Sequence, residues 1–148
     1  MSFLSSMNIS ASAMTAQRLR LDVASENIAN IDTTRTESGG PYQRKMVVLE
    51  AMNENNFRRT LLNAAGKSRQ QSKGGVRVSE IVEDTSPFKS VYNPEHPDAD
   101  ENGYVQMPNV DLIKETVDSM SATRSYEANI TAFNAIKTMA SKALEIGK

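Results

Sequence analysis

The chain has 148 residues, 5% of them aromatic, with no cysteine, no tryptophan and a formal net charge of −1. The length fits one modest domain, and the missing cysteine excludes disulfides, thiolate metal sites and a cysteine nucleophile. The near-zero charge argues against a general nucleic-acid footprint.

Apolar residues gather in stripes at the two ends around a polar middle, as suits a protein whose apolar surface is partly covered by neighbouring copies. Residues 2–31 contain neither proline nor glycine, and Met7, Met14, Leu21 and Ile28 recur every seven residues, with Leu4 and Ala11 offset by three. Arg18 and Ser25 take the next two offset places. This pattern predicts an amphipathic helix of coiled-coil character, roughly 45 Å long at 1.5 Å per residue. The same first residues lack the basic and apolar regions of a secretory signal, and no stretch reaches the ~18 apolar residues of a membrane span. An exported chain of this kind is expected to use no cleaved signal.

Turn-forming residues 32–41 interrupt the helix. A strand is expected over 42–50, through Met46-Val47-Val48-Leu49. Residues 53–73 read as a polar stretch in which Phe57, Leu61 and Leu62 can form a helical turn. Alternation predicts a strand over 76–82, with shorter ones at 88–92 and 104–107 around a turn-rich loop, 93–103. Pro108-Asn109 opens a second long helix with Asn109 as its cap and Asp111 in its first turn. Its apolar stripe runs through Val110, Ile113, Val117 and Met120, shifts near residues 122–125 as at a stutter, and resumes with Tyr126, Ile130, Phe133, Ala140 and Leu144. Gly147 reads as its stop.

The expected fold class is therefore α+β: long amphipathic N- and C-terminal helices forming a coiled-coil pair, with a small β-rich middle region. The expected segments are 1–34, 35–107 with an insertion at about 51–73, and 108–148. The apolar positions of the two stripes form the candidate assembly surface.

No motif for chemistry survives inspection. Residues 98–103 match half of an EF-hand loop, but the twelfth position is Asn109, and Pro94 and Pro97 preclude the entering helix. His96, the only histidine, has no partner ligand at helical spacing. There is no nucleophile elbow and no phosphate-cradling glycine loop. Catalytic residues, metals and cofactors are thus all expected to be none. Charge is segregated: residues 55–79 hold six basic and no acidic side chains, whereas 80–101 hold seven acids against Lys89. That reads either as a solvated arm or as a polar contact, between subunits or with an anionic polymer.

Two stretches carry a resemblance. Residues 16–30, around Ser25-Glu26-Asn27-Ile28-Ala29-Asn30, resemble the amino-terminal signature of flagellar basal-body rod and hook proteins. Residues 103–111 and Arg124-Ser125-Tyr126-Glu127-Ala128-Asn129 are similar to the carboxy-terminal signature of the branch that builds the proximal rod. The resemblance weakens over 51–73, and Ile31-Asp32-Thr33-Thr34-Arg35 replaces the small-residue turn of the general pattern, which favours that branch. It implies a non-enzymatic structural subunit that assembles with other rod proteins and copies of itself through terminal helices and transmits torque. It also implies export by the flagellar type III apparatus and a place in a rod crossing the periplasm, without nucleic acid and without spanning the membrane. Within the signature, a buried Asn27 amide can set coiled-coil register, and Asn30 can end the helix in a left-handed conformation. A soluble helical adaptor or export chaperone using the same stripes is the alternative.

Overall fold

The computed structural model describes residues 3–37, 39–52, 61, 64–65 and 74–145. In chain order these give α1 (Phe3–Ala29), β1 (Lys45–Ala51), β2 (Val76–Glu83), β3 (Lys89–Tyr92), β4 (Tyr104–Met107) and α2 (Leu112–Glu145). Two long helices toward the ends of the chain thus flank a small β-rich middle. The expected helical turn at Phe57 and Leu62, and the Gly147 stop, lie outside the described residues.

β1 pairs with β2. The Met52 N–H donates to the Gly75 carbonyl at 2.9 Å, and the Asp84 N–H donates to the Arg44 carbonyl at 2.7 Å. As numbers rise on one strand they fall on the other, so the pairing is antiparallel. β3 and β4 form a second antiparallel pair, with Val91 opposite Val105 and Tyr92 opposite Tyr104. Side chains alternate between faces. Val105 is buried on one face, and Tyr92 and Tyr104 stand exposed on the other.

Compactness divides the chain into two units: residues 1–17, 49–79 and 124–148, and residues 18–48 and 80–123. In the first unit, Ser12 Oγ donates to the Ile9 carbonyl and accepts the Val76 N–H, at 2.8 and 3.2 Å. Glycine is needed at 75, where φ is +149° and a Cβ would come within 2.8 Å of Ser12 Oγ. In the second unit the buried side chains are small or polar: Val23, Ala24, Asn27, Tyr42, Val105, Pro108, Val110, Glu115 and Ala122.

The helix ends differ from expectation. Asp111, not Asn109, caps α2: its Oδ1 accepts the Ile113 N–H at 3.0 Å, and its carbonyl takes the first helical bond, from Glu115 N–H. Val110 precedes the helix and is buried, so it is not part of the helical stripe. At the end of α1, the Asn30 N–H and Nδ2 both donate to the Glu26 carbonyl, at 3.1 and 2.9 Å. No described non-glycine residue has a positive φ, so Asn30 does not supply a left-handed cap.

Candidate functional site: a buried polar clamp and an exposed apolar stripe

Asn27 is the centre of the second unit. It is 1% exposed and lies on the face of α1 that carries the buried Val23 and Ala24, since positions 23, 24 and 27 share one side of a helix. Its Nδ2 donates to the Lys45 carbonyl at 2.8 Å and to Glu115 Oε2 at 2.9 Å. Its Oδ1 accepts the Tyr42 hydroxyl and the Lys45 N–H, each at 2.9 Å. Every hydrogen-bonding position of the amide is filled. One side chain thereby joins α1, the segment entering β1 and the first turn of α2.

Glu115, 2% exposed, continues the network by accepting Arg44 Nε on Oε1 at 2.7 Å. The Arg44 guanidinium also lies 3.5 Å from Asp84 and 3.7 Å from Asp118, and Asp118 accepts Arg20 Nη2 at 2.7 Å. Asn109 bridges the same elements, accepting the Arg44 N–H at 2.8 Å and donating to the carbonyls of Asp84 and Ser86. A buried carboxylate in this position is tolerable only because an arginine and an amide satisfy it.

Protonation follows the same contacts. Burial, and after it the negative charges of Glu26, Glu115 and Glu83, push the Tyr42 hydroxyl up to about 12. Burial would lower the Arg44 pKa, but the hydrogen bond and charge of Glu115, then those of Asp84, outweigh it and raise it. Asp84 is held below the usual carboxylate range by the Ser86 hydroxyl and N–H, with Arg44 adding to the effect.

The apolar stripe of α2 faces the other way. Ile113 is 75% and Val117 60% exposed, and Leu112 and Met120 are also exposed, whereas Glu115 and Ala122 are buried. Beyond residue 122, the half-buried positions are Ser125, Tyr126, Asn129, Phe133, Ile136 and Ala140, at three- and four-residue spacing, with Ile130 and Leu144 exposed. α2 is one uninterrupted helix of 34 residues. The shift seen in the sequence is a change in which side of the helix carries the apolar residues, from the side opposite Glu115 and Ala122 to the side that those two share. On α1, Leu4 is exposed and Met7, Ala11, Met14, Leu21 and Ile28 are half-buried. In the second unit α1 buries Val23, Ala24 and Asn27 and not its heptad rail.

Among the signature residues, Asn27 alone is a buried hub. Ser25, Ala29, Arg124, Glu127 and Ala128 are exposed, Ile28, Asn30, Tyr126 and Asn129 are half-buried, and Asn129 Nδ2 donates to the Ser125 carbonyl within its own helix. Tyr42, Arg44, Asp84, Glu115 and Asp118 are partners that sequence reasoning missed. Only the placing of a carboxylate and an alanine, Glu115 and Ala122, on the face opposite Ile113 and Val117 could have signalled them. His96 Nδ1 accepts the Asp98 N–H within its turn. Among the described residues, no group of three or more His, Cys, Asp or Glu could hold a metal, and no helix is long and apolar enough to cross a membrane.

Residues 7–35 match the family described as flagella basal body rod protein, and residues 101–146 match the C-terminal family of flagellar basal body rod FlgEFG proteins. The chain is 54% identical over 147 residues to flagellar basal-body rod protein FlgC of Bacillus subtilis, covering 97% of both chains. It is 44% identical to FlgC of Borreliella burgdorferi, covering 99% of this chain and 98% of the relative. It is 43% identical to FlgC of Salmonella typhimurium over the full length of both.

Proposed function

The chain belongs to the FlgC family of flagellar basal-body rod proteins, and from that premise we propose that it joins its neighbours in the proximal rod through the outward apolar stripe of α2. Membership makes it a structural subunit of the basal-body rod and not an enzyme, built to assemble with other rod proteins. The observation that carries the finer reading is the run of Ile113, Val117 and Met120, exposed on the side of α2 opposite its buried Glu115 and Ala122. Burying one such side chain contributes about 1.5–3 kcal/mol, so a neighbour covering all three gains appreciably.

The half-buried rail of Met7, Ala11, Met14, Leu21 and Ile28, together with Leu4, is a second surface of the same kind, and Tyr126, Ile130, Phe133, Ala140 and Leu144 extend the contact along α2. In this reading segments 1–34 and 108–148 are the assembly helices, 35–107 is a middle domain, and contacts include copies of the chain itself. Head-to-tail contacts that do not close generate a helical rod. A rod subunit of this kind leaves the cytoplasm through the flagellar type III export apparatus without a cleaved signal, and its assembled rod crosses the periplasm and transmits torque.

Ile113→Asp and Val117→Asp test the stripe. Each places an unpaired carboxylate at the seam, a cost of several kcal/mol on assembly, while an exposed position in the free subunit changes by within about 0.5 kcal/mol. The variants should be secreted and melt normally, yet be absent from purified basal bodies. Incorporation at wild-type levels would refute the placement of the seam.

A further inference from the structure

The β3–β4 hairpin has an outward face unlike the rest of the sheet surface. Its register sets Tyr92 opposite Tyr104 and Ser90 opposite Gln106, and Gln106 Nε2 donates to Ser90 Oγ at 3.0 Å. The two tyrosine rings meet edge to face, with centroids 5.3 Å apart, and Tyr92 is 65% exposed. Their exposure is built in. Gly103, at φ +78°, has no Cβ because one would lie 2.9 Å from Tyr92 Cε2 and 3.2 Å from Pro94 Cβ. The ring is thus seated on the backbone while staying in solvent. Pre-ordered tyrosines lose little entropy on contact, which is why such residues anchor interfaces.

Gln106 also lines a cavity of about 300 Å³, shared with Arg35, Gly39, Gly40, Asp98 and Asp100. The loop beyond adds Glu95 and Glu101, both exposed. Lys89, the one cation in 80–101, is already bonded through Nζ to the Val110 carbonyl at 2.6 Å. The face is therefore aromatic and amide-bearing, and on its rim Glu95, Asp98, Asp100 and Glu101 outnumber the single cation Arg35, so it complements a cationic segment. The chain contains one: residues 55–73, with five basic and no acidic side chains, whereas Arg77 beyond it is paired with Glu50 at 2.8 Å.

We propose that the outward face of the β3–β4 hairpin receives the basic segment 58–73 of a second copy of this chain. The inference rests on the rod-assembly reading, since a subunit that repeats along a rod meets copies of itself through unlike surfaces. Exposed charge pairs are individually weak and screened by salt, so the contact orients copies in an assembly and does not hold two free subunits tightly.

Charge reversal on the full chain tests it, read by sedimentation velocity at low salt and the highest soluble concentration. Asp100→Lys with Glu101→Lys, or Arg58→Glu with Arg59→Glu, should each weaken self-association about tenfold, with the melting curve unchanged. An equimolar mixture of the two variants should recover wild-type association, because each reversed surface then meets its complement on the other chain. Recovery only when all four changes share one chain would overturn the proposal by showing a contact within a chain. Absence of self-association in the wild type, or indifference to the changes at 100 and 101, would overturn it as well. The rod-assembly reading is judged separately, by the incorporation of Ile113→Asp and Val117→Asp, so either can fail alone.

Discussion

Removing Asn27 should cost more than removing any apolar side chain of α1. In Asn27→Ala, the Lys45 N–H, the Lys45 carbonyl and the Tyr42 hydroxyl all lose the partner they have at 2.8–2.9 Å. Glu115 loses one bond but keeps Arg44. A stranded buried polar group costs about 1–3 kcal/mol. Water entering the vacated space restores part of that, so the net loss is about 3–5 kcal/mol. A fall of that size should lower the melting midpoint by roughly 10 °C for a chain of this length. Asn27→Asp sharpens the test, because it keeps the acceptor and turns the donor into a second acceptor 2.9 Å from the Glu115 carboxylate. It should destabilise at least as much as alanine at neutral pH and become milder as pH falls through the carboxylate range. The assay is chemical denaturation followed by near-ultraviolet circular dichroism, whose long-wavelength band comes from the tyrosines in a chain without tryptophan. A loss below about 1 kcal/mol in Asn27→Ala, against the expected cost of stranded groups, would refute the view that this amide ties the second unit together.

Ala122→Asp, at a fully buried position, should unfold the second unit, whereas Val117→Asp on the exposed side leaves it folded; parallel thermal melts decide this. Glu115→Gln should destabilise by about 3–5 kcal/mol, because an amide cannot satisfy both Arg44 Nε and Asn27 Nδ2 as the carboxylate does. Tyr42 has a folded pKa raised to about 12 from 10.0. Its neutral form is favoured in the fold, so that stability is complete below pH 10.0 and is lost as pH rises toward 12. Tyrosinate absorbance should show Tyr42 ionising near pH 12, together with alkaline unfolding. Asp84 is shifted the other way, so its contribution is present above the ordinary carboxylate range and disappears on acidification; Asp84→Asn should flatten the acid limb of stability against pH. Gly103→Ala should destabilise by about 1–2 kcal/mol, read as a lower melting point, since a Cβ there meets the Tyr92 ring in a backbone conformation costly for L-residues.

Much of the architecture was legible from periodicity. The absence of proline and glycine over residues 2–31 marked α1, alternation marked β2, and the turn-rich 93–103 loop marked the hairpin of β3 and β4. These are local properties, set by backbone propensity and by side chains a few residues apart, so the sequence alone determined them. It also marked Asn27 as a residue out of place in a helix interior.

What only the tertiary structure decided is which face of each helix the chain keeps for itself. Heptad spacing shows that Leu21 and Ile28, or Ile113 and Val117, share a side, but a stripe looks the same whether its cover comes from the same chain or from another. The resolution lies in pairs far apart in sequence. Asn27 meets Glu115 across 88 residues and Arg44 meets Glu115 across 71, and no local period encodes such a meeting. Once those polar groups close on one another, α2 must turn Glu115 and Ala122 inward. Ile113, Val117 and Met120, on the opposite side of the same turns, are then left facing outward, because a helix cannot bury both sides against one thin layer.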